Sequence, residues 1–241
     1  MTLEIFREDA YARQCESTVT AVDSRGIQLN QTVFYPNGGG QPGDTGSFVL
    51  PDGSEIAFVD TIKDRDSGEH IHCVANETDL SRLQVGTTGT AKIDWDRRYR
   101  LMRMHSCLHM LCAVIPASVT GGSIQEQRGR LDFNLPDTVD KEKVTADLNQ
   151  LIASNTAMSM QWITDEELDA NPGLVRTLSA PPPRGSGRVR LVNFEGIDLQ
   201  PCGGTHVAAT AEIGKVRVQK IEKKGKMNRR VIVVFDDEAP V

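Results

Sequence analysis

The chain lacks any apolar run long enough to cross a bilayer as a helix, so a helical membrane anchor is not expected within it. It lacks a Cys-x-x-Cys pair, and its five cysteines are odd in number and irregular in spacing. A disulfide framework is therefore not expected, and a reducing cytoplasm is the expected location. The start, MTLEIFREDA, carries Glu4, Glu8 and Asp9 and has no apolar core, so it does not read as a signal peptide. A surplus of positive charge is also missing. The net charge is −6 and the pI about 5.4, so no global field steers this chain to nucleic acid, and any such contact must come from a local patch. Internal repeats and low-complexity tracts are absent.

What is present is ordinary globular material. Of 241 residues, 39% are hydrophobic and 25% charged, enough for one large domain or two modest ones. Residues 1–93 read as β. STVTAV, TVFY, EIAFVD, HIHCVA and GTAKI are rich in Val, Ile, Thr and Phe and are separated by turn signals. A small barrel or sandwich is expected there. The character changes at Asp94. Leu101, Met104, Leu108, Leu111 and Ile115 form a helical stripe that Asp94 or Asp96 can cap and Pro116 stops. A second helix is expected after Asp137 or Asp140, with Val144, Leu148, Leu151 and Ile152 inward. MSMQWIT reads as a strand. Thr164 and Glu167 have the spacing of a capping box at the start of a short helix. PPPRGSG (181–187) is a break. RVRLVNF, KVRVQKI and RRVIVVF are strands, the last two framing a hairpin around KGKMN. Residues 94–241 are thus expected to form an α+β domain.

Two spacings carry chemistry. In RMHSCLHML, His105 and His109 are four apart, on one face of the helix. In PCGGTH, Cys202 and His206 are also four apart, with glycines that let the chain turn tightly. Either pair alone is weak, and each histidine alone reads as well as a surface or core residue. Together they concentrate four of the chain's ten His and Cys residues into one possible zinc set. A closed set of four protein ligands is the pattern of structural zinc, whereas a catalytic zinc keeps a position open; spacing leaves both readings standing. Cys107 and Cys112 read as helix core. His70 and His72 alternate on a strand and are expected to face solvent. From Lys215 to Arg230, eight basic residues stand against one acid, Glu222. That run is either a solvated hairpin or a phosphate-binding patch. YPNGGGQPGDTG holds three successive glycines, but no Gly-Lys-Ser/Thr follows, so it is not a P-loop.

HSCLH, PCGGTHV, TAEIGKVRVQKIEKKGKMNRR and YPNGGGQPGDTG together resemble the freestanding alanyl-tRNA editing proteins, relatives of the editing domain of alanyl-tRNA synthetase. The resemblance covers roughly Val33 to Phe235. The common helix motif is HTAxH; here Ser106 and Cys107 occupy its interior. The resemblance implies an α+β chain, with a small N-terminal β-barrel-like domain at 1–93 and an α/β-sandwich editing domain at 94–241. It implies a cytoplasmic hydrolase that deacylates tRNA(Ala) mischarged with serine or glycine. It implies one Zn2+ held by His105, His109, Cys202 and His206, with His206 either a direct ligand or just behind one. It further implies that the glycine-rich loop reaches over the editing pocket, with Gln41, Asp44 and Thr45 near the aminoacyl group. GGSIQEQRGRLDF would line the pocket, offering Ser123, Gln125 and Arg130, the last for a phosphate or an acid. Lys223, Lys224, Lys226, Arg229 and Arg230 would meet the tRNA backbone. Two other classes remain open: a tRNA-binding accessory module with structural zinc, and a zinc-dependent esterase for small molecules.

Overall fold

The computed structural model describes residues 2–64, 66–177 and 187–236; the break at 181–187 lies, except for Gly187, outside the described residues. The chain divides into two units, Met1–Tyr99 and Arg100–Val241.

The first unit is a closed six-stranded barrel. Its chain order begins with a short strand β1 (Leu3–Glu4), then β2 (Gln14–Asp23), β3 (Gly26–Leu29), β4 (Gln31–Thr32), β5 (Gly46–Val49), β6 (Glu55–Lys63), β7 (His70–Val74) and β8 (Thr88–Ile93). The barrel runs β2-β3-β7-β6-β5-β8 and closes on itself, while β1 and β4 form a separate parallel pair. Closure leaves no open edge. Alternation fills the interior: Ile56 and Phe58 of β6 point in with Val19, Ile27, Leu29, Phe48, Ala91 and Ile93. TVFY is not the strand its composition suggests. Beyond Thr32 the backbone of Val33–Tyr35 is satisfied by side chains: Thr32 Oγ1 accepts from Phe34 N at 3.0 Å, Asp44 Oδ2 accepts from Tyr35 N at 2.6 Å, and Arg98 donates to Val33 O at 2.6 Å. Local polar partners here displace ladder pairing.

His70 and His72 do not face solvent; both are buried. His72 Nε2 lies 2.8 Å from Thr32 Oγ1, and its ring packs edge-on to Phe34. His70 Nε2 lies 3.0 Å from Glu4 Oε1. Both rings sit against aromatic residues; the Thr32 hydroxyl satisfies His72, whereas His70 has the Glu4 carboxylate beside it and no hydrogen-bond partner for its Nδ1 among the described residues.

The helix α1 (Trp95–Val114) begins in the first unit and continues into the second. Asp94 caps it, its Oδ1 accepting from Arg97 N at 3.1 Å, and Pro116 follows its end. Its stripe residues Leu101, Met104, Leu108, Leu111 and Ile115 are all buried, as are Cys107 and Cys112. Burial pushes both of these thiols up to about 12, which marks them as inert core residues.

The second unit adds β9 (Val119–Ile124), β10 (Arg128–Asn134), α2 (Lys141–Ala153), β11 (Met158–Thr164), α3 (Asp165–Ala170), β12 (Arg188–Phe194), β13 (Asp198–Pro201), β14 (Val216–Lys223) and β15 (Asn228–Phe235). These form a four-stranded sheet, β14-β15-β10-β9, and a three-stranded sheet, β11-β12-β13. One face of the larger sheet packs on α1. A Cβ at Gly129 would meet Met104 Sδ at 2.6 Å and Leu108 Cδ2 at 2.9 Å, so glycine is what lets β10 approach the helix. Helix α2 is capped by Asp140 and buries Val144, Leu148 and Ile152. It also covers the β14 edge: Asn149 exchanges two hydrogen bonds with the Val216 backbone, and Thr145 accepts from Val218 N. The Thr164–Glu167 capping box is present, and β14 and β15 form the expected hairpin. Among the described residues no helix is long and apolar enough to cross a membrane.

Candidate metal centre

His105 and His109 stand one turn apart on α1. Cys202 directly follows β13, and His206 sits four residues further along the Gly-Gly loop. That loop has no regular structure, yet it is fixed. Arg190 of β12, itself buried, donates from Nε to Cys202 O at 3.0 Å and from its terminal nitrogen to Gly204 O, while Cys202 N donates to Arg190 O at 3.1 Å. Sequence distance hides this grip: twelve residues separate Arg190 from Cys202.

The four donor atoms of His105, His109, Cys202 and His206 lie within 4.8 Å of one another. Cys202 Sγ is 3.5 Å from His105 Nε2 and 3.2 Å from His206 Nε2. Ligands of a tetrahedral zinc, bonded at roughly 2.0–2.3 Å, stand about 3.3–3.6 Å apart. The donor set therefore fits zinc in both chemistry and spacing. His206 presents its Nε2 to the shared centre with the others.

The imidazoles are oriented from behind. Asp198 Oδ2 lies 2.8 Å from His109 Nδ1, and Gln200 Nε2 donates to the same oxygen at 2.7 Å. Gln200 Nε2 also lies 3.0 Å from His109 Nδ1, but with Gln200 donating to the carboxylate, His109 Nδ1 carries the proton and donates to Asp198. That leaves His109 Nε2 as the free donor atom, the carboxylate–histidine arrangement that fixes a metal ligand's tautomer. Ser106 Oγ accepts from Val207 N at 3.2 Å and lies 3.3 Å from His206 Nδ1, which likewise leaves Nε2 forward. The interior Ser of HSCLH is thus a support for the ring facing it.

Charge within the centre is ready for a cation. Burial opposes the Cys202 thiolate, but His105 and His206 beside it hold its pKa well below the usual thiol value. Burial and the neighbouring His105 push the His206 pKa well down. Burial also opposes the His109 cation, but the Asp198 carboxylate and the Cys202 thiolate raise its pKa to about 9. A metal would take the place of that proton. Sequence reasoning misses Asp198, Gln200 and Arg190. Asp198 and Gln200 sit in a four-residue strand with no period to read, and Arg190 reads as one more basic residue in an alternating strand.

The other candidate residues fall in several places. In the glycine-rich loop, Gly38 and Gln41 exchange two backbone hydrogen bonds at 3.0 Å around Gly39 and Gly40, both at positive φ (57° and 84°). This is a tight two-residue turn that needs glycine. Gln41 is buried, and Thr45 O accepts from Asp94 N. Asp44 is buried and takes the fully buried Arg98 guanidinium and the Tyr35 N–H, so its carboxylate holds the loop's base. Gln125 is exposed at the β9–β10 turn. Ser123 pairs with Arg130, next to Gly129, so both side chains leave the sheet on the face opposite α1. Of the hairpin cations, Lys223 and Lys226 are exposed. Lys224 pairs with Glu222 at 2.9 Å, and Arg230 makes a two-pronged pair with Asp132 at 2.8 Å. Arg229 departs from the expectation: it is buried, and its guanidinium donates to Gly225, Asn228 and Pro136 carbonyls, closing the hairpin rather than facing outward.

A barrel unit joined in one chain to a unit whose helix and loop converge four soft and borderline metal donors defines a class: a two-unit chain with a metal-competent His/Cys centre. Comparison with known proteins narrows it. The family described as "Threonyl and Alanyl tRNA synthetase second additional domain" matches residues 189–232, and "tRNA synthetases class II (A)" matches residues 5–97. The chain is 35% identical to the alanyl-tRNA editing protein AlaX-M of Methanosarcina mazei, over 99% of this chain and 98% of that protein. It is 33% identical to the AlaX-M of Saccharolobus solfataricus, over 96% and 98%. An alanine–tRNA ligase of Methanospirillum hungatei is 33% identical over 92% of this chain, a stretch that makes up 24% of the ligase. The chain belongs to the alanyl-tRNA editing protein family.

Proposed function

We propose that this chain hydrolyses the ester of tRNA(Ala) mischarged with serine, with glycine as a second substrate, at a site holding one zinc. The observation that carries the reading is the convergence of His105, His109, Cys202 and His206 in a chain of this family. When bound, zinc would orient the aminoacyl end and polarise its ester carbonyl. The chain's own residues do the rest. Asp198 and Ser106 hold the imidazoles in register, and Arg190 holds the Cys202 loop. Asp44 anchors the glycine-rich turn, while Gln41 and Thr45 are the candidates on it for the aminoacyl group. Gln125 remains a candidate at the β9–β10 turn; Ser123, which leaves the sheet on the face opposite α1, does not.

The activity has a physical rationale. A synthetase pocket discriminates poorly against an isostere that adds only a hydroxyl, so a second hydrolytic site corrects its errors. The second site must instead reject alanine, and polar groups left unpaired by a methyl side chain do this. The hairpin supplies phosphate contacts through Lys223, Lys224 and Lys226, which is the feature a small-molecule esterase would not need. Replacing those three with Gln should weaken tRNA binding and flatten its salt dependence by roughly 0.7–0.9 log–log units for each phosphate no longer neutralised.

The test is deacylation of Ser-tRNA(Ala), Gly-tRNA(Ala) and Ala-tRNA(Ala) by purified protein, with and without chelator. Loss of Ser-tRNA(Ala) hydrolysis on chelation and its return with zinc are expected. Binding of tRNA without turnover would favour an accessory module with structural zinc.

A further inference from the structure

We propose that the face of the four-stranded sheet turned away from α1 is a docking surface for RNA phosphates, centred on Arg128 and Arg130. The proposal deepens the tRNA reading above and moves the main contact from the hairpin tip to the sheet.

The register places the residues. Arg130 of β10 stands opposite Ile232 of β15, which stands opposite Lys220 of β14. Two residues along, Arg128 faces Val234, which faces Arg217. On the other side of Arg130 run Asp132, Arg230 and Glu222. This face carries five cations and two acids in a chain of net charge −6.

Both acids are already taken. Asp132 accepts both prongs of Arg230 at 2.8 Å, and Glu222 accepts from Lys220 at 2.7 Å and Lys224 at 2.9 Å. Arg217 reaches out to Asp236 at 3.2 Å. Arg130 lies in the field of Asp132 but shares no ion pair with it at hydrogen-bond distance. Its Nε is buried and has no acceptor among the described residues. A buried guanidinium N–H without a partner is costly to leave unmade and asks for an oxygen acceptor. Arg128, exposed beside it, makes no ion pair among the described residues. An arginine fork suits a phosphate. Cations repeating along two adjacent rows suit a ligand whose charges also repeat, and that is a nucleic-acid backbone.

The test uses the full chain and uncharged tRNA(Ala), with affinity measured from 50 to 200 mM salt. The variants are Arg130→Gln, Arg130→Lys, the double Arg128→Gln/Arg130→Gln, and Lys141→Gln on α2 as a control outside the sheet. Each phosphate left without its cation should flatten the log–log slope by roughly 0.7–0.9, so the gap between wild type and a single variant closes about threefold across that range. Arg130→Lys should keep most of the slope, and Lys141→Gln all of it. An unchanged slope in the double variant overturns the proposal. So does a loss of binding that tracks a lowered melting temperature and is not rescued by Arg130→Lys. Deacylation of Ser-tRNA(Ala) by wild type is followed in parallel. Turnover with an unchanged slope in the double variant removes only the docking surface. A shifted slope without turnover removes the editing activity and leaves the docking surface.

Discussion

Four of the five histidines come as two sequence pairs, His70/His72 and His105/His109, and one member of each, His72 and His109, is shifted in opposite directions. Both pairs are buried. In the barrel, His72 meets a Thr32 hydroxyl, and burial drives its pKa down to about 3. On α1, His109 meets the Asp198 carboxylate and the Cys202 thiolate, and its pKa rises to about 9. Burial works against the charged ring in each case; at His72 nothing offsets it, whereas at His109 the Asp198 carboxylate and the Cys202 thiolate together outweigh it. His72 is therefore wall material, neutral and packed against Phe34 and Phe58. The helix pair belongs to a centre with stored negative charge, where a cation fits.

The strongest way to break the contrast is to remove the thiolate. Cys202→Ala should cost more than about 100-fold in zinc affinity and abolish most Ser-tRNA(Ala) hydrolysis, since it deletes a ligand and not merely its support. Binding of tRNA should be largely unaffected, because the phosphates are held elsewhere. His70→Ala should leave zinc content as it is.

A smaller effect is expected one step back. Asp198→Asn removes the anion behind His109 and should lower zinc affinity about 10–100-fold, measured by competition with a chelator. In the metal-free protein the same change should bring the His109 pKa down from about 9 towards its ordinary value, as read by NMR of the ring protons.

The smallest effect is on stability, and its sign differs between His72 and His109. His72 accepts a proton near pH 3 when folded and near 6.5 when free. Its contribution is complete above pH 6.5 and is lost as pH falls from there towards 3, at up to about 1.4 kcal/mol per unit. His109 in metal-free protein does the reverse. Its contribution is complete below 6.5 and is lost as pH rises through about 9. Denaturant midpoints across pH should show the loss between about pH 6.5 and 4.5 shrink in His72→Gln, while the carboxylate-driven loss at lower pH and the alkaline arm survive.

Some of this is legible in the sequence. The α1 stripe, the Thr164–Glu167 box, the hairpin and the four donors all rest on local spacing, and spacing is what a sequence displays. His70 and His72 escape it because alternation says which residues share a face but not whether that face meets solvent or a barrel interior. TVFY escapes it because Asp44 and Arg98, distant in the chain, supply the hydrogen bonds a strand partner would have made. Asp198, Gln200 and Arg190 act through other residues from short or alternating segments, and no local pattern marks them. Arg229 carries the same charge as its neighbours, and only the hairpin's closure separates it from them.

The most direct test of the central claim is zinc content. Protein purified without added metal, and again after zinc reconstitution and removal of excess, should contain one zinc per chain by elemental analysis. The count should fall to near zero in a His105→Ala/His109→Ala variant that keeps wild-type secondary structure. A folded wild-type chain that binds no transition metal after reconstitution would contradict the account.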